Sequence, residues 1–184
     1  MCRAIDVANF FVDMANNEPD DCMTNLRVNK FLYFAQAWSL VRRGKRLFDS
    51  QIQAWQYGPV VPEVYQAFKP CGRERISSTS GEYSPDLFDN EELELLIDVF
   101  REYGKYSSPA LVGFTHEKGS PWERVYDPDK RETEISDESL REYFFKQEPL
   151  KPYVLPEVPE SDYIGYRDSN GTLILPKEYD DEAE

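Results

Sequence analysis

The sequence predicts a mainly α fold: a compact multi-helix domain around a central buried helix, with a short strand-like segment and a C-terminal β-hairpin. Three observations predict it. Apolar residues recur at helical spacing in most segments before residue 148. Capping residues stand at nearly every boundary of those segments. Residues 25–43 are apolar on almost every side, as a helix at the centre of a bundle requires.

The elements follow in order. Ala4, Val7, Ala8, Phe11 and Met14 predict a first helix over 4–15, broken by Asn16–Asp21. Thr24 caps a second helix from Asn25 to about Arg43. Its inward face is Leu26, Lys30 by its stem, Tyr33, Phe34, Ala37 and Leu40 or Val41, broadened by Leu32, Ala35 and Trp38. Arg42 and Arg43 suit the negative end of that helix, and Gly44 ends it. Ile52, Ala54 and Trp55 read as strand, and Tyr57–Pro62 as a rigid loop. Pro62 opens a short helix through Phe68, followed by a Ser/Gly-rich loop over 76–86. Asp89 or Asn90 caps a helix over Glu91–Tyr103, and Ser108-Pro109 opens another through Phe114 or His116. Gly119–Trp122 breaks the chain, 127–134 is a charged loop, and Ser136 caps a last helix carrying Leu140, Tyr143 and Phe144.

Beyond Gln147 the composition changes. Pro149, Pro152, Pro156 and Pro159 mark an extended connector. Asn170-Gly171 between Tyr163–Tyr166 and Thr172–Leu175 is a hairpin signal, so a hairpin is expected over Tyr163–Leu175. An acidic tail closes the chain. The expected organisation is a helical domain over 1–148, then connector, hairpin and tail over 149–184.

Charge and composition narrow the function. The 184 residues include 21 Lys and Arg against 35 Asp and Glu, a net charge of −14. That balance disfavours nucleic acid as a partner and suits a basic one. Three cysteines without a C-x-x-C make neither a disulfide framework nor a zinc cluster. The start lacks the apolar region of a signal peptide, and no window has the length of a membrane span, so a cytoplasmic protein without membrane association is expected. The four cations Arg42, Arg43, Lys45 and Arg46 complement a helix C-terminus.

Catalytic patterns are weak. His116-Glu117 matches the first half of H-E-x-x-H, but residue 120 is Ser. No phosphate-binding glycine loop occurs. The lone histidine reads first as a helix C-terminal cap, second as part of a partner surface. Trp38, Trp55 and Trp122 suit either a core or an interface.

Two motifs carry a family resemblance. The first is Asn29–Trp38 followed by Leu47-Phe48 and by Gln53–Tyr65, with Trp55-Gln56-Tyr57-Gly58-Pro59-Val60 at its centre. The second is Thr115-His116 through Gly119-Ser120-Pro121-Trp122. In this order they resemble the Panacea antitoxin domain, a SocA-like family that includes phage-associated GepA-like proteins. The resemblance covers about residues 5–146 and leaves out the connector and hairpin.

The resemblance implies a mostly helical fold and the antidote role in a toxin–antitoxin pair. It implies a cognate protein toxin, encoded by the adjacent gene, as the partner, neutralised by direct binding. The alternatives are an adaptor that delivers the toxin to a protease, and a phage or prophage accessory protein that binds a host factor. It implies no catalytic residue, no metal ligand and no cofactor. The residues expected to face the partner are Tyr57, Gly58, Pro59, Val60, His116, Ser120, Pro121 and Trp122. The same residues also read as architecture, since a rigid aromatic loop serves both purposes.

Overall fold

A computed structural model describes residues 2–18, 22–130 and 133–152, together with the backbone of residues 166–167 and 173–174. The elements are α1 (Ala4–Asn17), α2 (Asn25–Arg42), β1 (Gln53–Trp55), β2 (Gly58–Val60), α3 (Pro62–Phe68), α4 (Asn90–Gly104), α5 (Ser108–Thr115), α6 (Pro121–Val125), α7 (Asp137–Phe144), β3 (Tyr166–Arg167) and β4 (Leu173–Ile174). Single 3₁₀ turns occupy Lys69–Cys71 and Pro85–Leu87. The fold is mainly helical, with one small antiparallel sheet, β1–β2, in the helical body. Two units divide the chain, Met1–Tyr153 and Val154–Glu184.

Helix α2 is the centre of the first unit. Thr24 caps it by accepting from the Arg27 N–H at 3.2 Å. Fifteen of its 18 residues are buried, and α1, α3, α4, α5 and α7 all pack on it. Its aromatic residues knit those neighbours together. Phe34 stacks on Tyr103 of α4 at 3.8 Å, Phe31 meets Phe11 of α1, and Trp38 meets Phe144 of α7 edge to face. Leu150 closes the same core, and its carbonyl accepts from Arg42.

The expected inward face of α2 needs two corrections. Leu26 is 39% exposed, because the first turn of α2 looks onto an open groove. Lys30 buries its ammonium as well as its stem and is 0% exposed.

The buried polar side chains of α2 pair with backbone groups of the chain between residues 45 and 65 that β1, β2 and α3 leave open. Gln36 Oε1 accepts from the N–H groups of Leu47 and Phe48, and its Nε2 donates to the Phe48 carbonyl. Ser39 Oγ donates to the Lys45 carbonyl. Asn29 Oδ1 accepts from the Val61 N–H at 2.9 Å, and Asn25 Nδ2 donates to the Tyr65 carbonyl. A buried loop is tolerable only when its backbone groups find partners, and α2 supplies them.

Two further expectations change. Residues 57–62 are not all loop. Gly58–Val60 forms β2, paired antiparallel with β1 in the register Gln53↔Val60, Ala54↔Pro59 and Trp55↔Gly58. Glycine and proline hid this strand. Gly58 supplies a positive φ of 98°, and Pro59 is accommodated because β2 is an edge strand. Nor does the chain simply break at Gly119–Trp122. Ser120 caps the short helix α6 through the Glu123 N–H, with Pro121 in the first turn. Asp89 caps α4 and Ser136 caps α7 as expected, Asp89 in a capping box with Glu92, while α5 starts at Ser108 and is capped by Ser107.

In the second unit, β3 and β4 pair antiparallel, Tyr166↔Ile174 and Arg167↔Leu173, inside the expected hairpin. The turn at Asn170-Gly171, Pro156 and Pro159 of the connector, and the acidic tail lie outside the described residues.

Candidate functional site: the Tyr57 hairpin and its groove

The β1–β2 hairpin is held from below and from both sides. Below it, Lys30 Nζ donates to the Pro59 carbonyl at 2.9 Å. On one side, the Ala54 N–H donates to the Thr133 carbonyl and the Ile135 N–H to the Ile52 carbonyl, each at 2.8 Å. On the other, Asn29 holds Val61. Burial lowers the Lys30 amine to about 7, since an ammonium loses hydration there and gains only carbonyl contact.

Gly58 sits directly over this lysine. A Cβ at Gly58 would lie 2.7 Å from Thr115 Oγ1 and 2.8 Å from Lys30 Cε. Only glycine fits both the space and the positive φ. Thr115 is itself fixed, donating from Oγ1 to the Val112 carbonyl.

The two sequence motifs meet here. Trp122 Nε1 donates to the Trp55 carbonyl at 2.8 Å, which ties α6 to β1. Ser120 Oγ donates to the Thr115 carbonyl at 2.7 Å while capping α6. His116 stacks flat on Trp122, with ring centroids 3.6 Å apart and 8° between planes. Tyr126 stacks on Trp122 as well, at 4.4 Å. His116 is the C-cap residue of α5, but the expected imidazole cap is not what is seen. Its backbone N–H donates to the Val112 and Gly113 carbonyls, while the ring serves the stack. Burial and then the nearby Lys30 charge lower the His116 pKa.

Seven of the eight expected partner-facing residues therefore turn inward to some degree. Gly58, Pro59, Val60, Ser120, Pro121 and Trp122 are buried, and His116 is half-buried. Tyr57 differs: at the tip of the hairpin it is 64% exposed. Beside it runs an open groove of about 780 Å³ between the first turn of α2, the hairpin and α3. Leu26 forms one apolar wall, and Trp55 and Tyr65, packed edge to face at 5.0 Å, form another. Lys69 and Arg73 stand on its rim.

Sequence reasoning missed the groove residues Leu26, Lys69 and Arg73 and the buried charge of Lys30. Asn29-Lys30 within an otherwise apolar stripe was a usable signal, because buried polar residues need partners. Nothing in the local pattern marks Lys69 or Arg73, which reach the groove through the 3₁₀ turn after α3. Among the described residues, no group of three or more His, Cys, Asp or Glu is placed to hold a metal ion. Also among them, no helix is long and apolar enough to cross a membrane.

Comparison with known proteins agrees with the two motifs. Residues 28–123 match the family described as Antitoxin SocA-like, Panacea domain. This span contains Lys30, the hairpin and the Thr115–Trp122 segment. The chain is 34% identical over 129 residues to Antitoxin SocA of Caulobacter vibrioides (strain NA1000 / CB15N), covering 65% of this chain and 68% of that protein. No solved structure matches. The chain belongs to the SocA-like Panacea-domain antitoxin family, and that membership supports an antitoxin role.

Proposed function

We propose that this protein is the antitoxin of a toxin–antitoxin pair and neutralises a cognate protein toxin, encoded by the adjacent gene, by binding it in the cytoplasm without turnover. The observation that carries the reading is the exposure of Tyr57 on a hairpin whose neighbouring motif residues are buried. An exposed aromatic side chain on a stiff mount is a low-entropy anchor, the kind of residue that dominates binding energy at interfaces. Tyr57 then touches the toxin, whereas Gly58, Pro59, Val60, His116, Ser120, Pro121 and Trp122 position it. Family membership supports the antidote role itself.

The test is co-expression of the adjacent gene product with wild-type protein and with Tyr57→Ala, scoring growth and pull-down together. The reading expects the wild type to bind and rescue. It expects Tyr57→Ala to lose both while melting at the wild-type temperature. Rescue of growth by a variant that no longer binds the toxin would overturn direct neutralisation.

A further inference from the structure

The groove beside Tyr57 carries a charge opposite to that of the molecule. The chain has a net charge of −14, yet among the described residues no Asp or Glu lines this groove. Its charged lining residues are Lys30 in the floor and Lys69 and Arg73 at the rim. Lys69 and Arg73 are exposed, and among the described residues neither is engaged by a carboxylate. By contrast, Arg42 and Arg43 are held by Asp98, Asp89 and Glu92. Cations that no described carboxylate engages, beside an apolar trough on a chain otherwise rich in carboxylates, form a complementary seat for negative charge. The trough also holds two of the large apolar residues left exposed, Leu26 at 39% and Tyr57 at 64%.

We infer that this groove binds an acidic segment of the toxin carrying an aliphatic or aromatic side chain; the inference rests on the toxin-binding reading above. The apolar side chain lies against Leu26, Tyr57 and the Trp55–Tyr65 pair. The flanking carboxylates meet Lys69 and Arg73. Lys30 lies beneath without contact, because it is 0% exposed, and the charge that meets the segment is that of Lys69 and Arg73. A polyanion such as a nucleic acid fits less well. Its affinity rests on neutralising many phosphates, and it would have to run from two rim cations onto a strongly acidic surface. A short acidic peptide brings its few charges to the one place where they are met. The seat is thus opposite in sign to the basic toxin face that net charge alone suggests.

The test uses the full-length antitoxin and an array of overlapping peptides covering the adjacent gene product, with the intact toxin as a parallel probe. The expected result is that the bound peptides are acidic and contain at least one large apolar residue. The double variant Lys69→Glu/Arg73→Glu should bind them and the toxin about tenfold or more weakly. Lys69→Gln/Arg73→Gln should fall between, and Lys69→Arg/Arg73→Lys should keep binding. Equal melting temperatures across the set will separate contact from misfolding. Selection of basic peptides, or toxin binding unchanged in the double Glu variant, overturns the inference and leaves the toxin-binding reading standing. A labelled single-stranded oligonucleotide bound in a Lys69- and Arg73-dependent way, with toxin binding unaffected, overturns it in favour of nucleic acid. Failure of wild-type protein to bind the toxin at all removes the reading beneath it.

Discussion

Tyr57 and Gly58 are neighbours in the chain and opposites in environment. The Tyr57 side chain is 64% exposed at the hairpin tip. One residue on, there is no room for a single methyl group, since a Cβ would meet Thr115 and Lys30. The same motif therefore does two jobs, one facing solvent and one facing the core. A sequence match weights them alike, but the physical costs of changing them differ by kilocalories. Substitutions on the inward side should act through stability, and those on the outward side through binding.

The largest expected effect is on the inward side, at Trp122→Ala. That change removes a buried ring, two stacking partners and the bond to the Trp55 carbonyl. It should cost about 3–5 kcal/mol in chemical denaturation. A loss below ~1 kcal/mol would mean that the α6–hairpin tie contributes little.

Gly58→Ala comes next, at about 2–4 kcal/mol, because strain at positive φ adds to overpacking against Lys30 and Thr115. Gly72→Ala is the control. Gly72 also has a positive φ, 57°, but a Cβ there meets nothing within 4 Å. With a ψ of −118° it lies outside the left-handed helical region, and backbone strain alone should cost about 1–3 kcal/mol. Equal losses at the two sites would show that φ alone, and not the lysine beneath Gly58, sets the requirement.

Lys30 makes the inward side sensitive to pH. Its folded-state pKa is about 7, against an ordinary value of about 10.4. Between those values the unfolded chain holds a proton that the folded chain has released, so this group's contribution to stability rises with pH. The cost of burying the ammonium is complete below about pH 7 and is progressively relieved above it. Lys30→Met abolishes that dependence. Wild-type protein should therefore gain roughly 2 kcal/mol on the variant between about pH 7 and pH 9. A constant difference between the two curves would place the Lys30 pKa outside this window.

The smallest expected effect on stability is that of Tyr57→Ala, within about 0.5 kcal/mol, because the side chain lies on the surface. A loss of several kcal/mol would make the hairpin tip structural.

The same contrast explains how far the amino-acid sequence can be read. Helices α1, α2, α4 and α7 were legible because apolar spacing and caps such as Thr24, Asp89 and Ser136 agree. Strand β2 was not, since Gly58-Pro59 has the composition of a loop and becomes a strand only against β1 and above Lys30. Helix α6 was hidden by a Ser-Pro pair that looks like a chain break, although the similar Ser108-Pro109 was legible as a helix start. The residues of the two motifs come together in the fold, but their spacing does not tell which of them face outward. Exposure depends on what packs beneath, and that is decided by residues as remote as Trp122. Lys69 and Arg73 lie outside both motifs and join the groove only through tertiary placement.

The central claim is that the outward side of this motif, the Tyr57 tip and its groove, is where the toxin binds. Amide hydrogen exchange on the free protein and on its complex with the adjacent gene product tests this most directly. Gln56 and Tyr57 join the two strands and do not pair within the β1–β2 ladder, and Gly72 and Arg73 lie at the groove rim. The account predicts that toxin slows exchange at Gln56-Tyr57 and across Gly72-Arg73, with little change in the protected core of α2. Slowed exchange confined to α7 and residues 145–150, with the hairpin tip and groove exchanging as in the free protein, would contradict it.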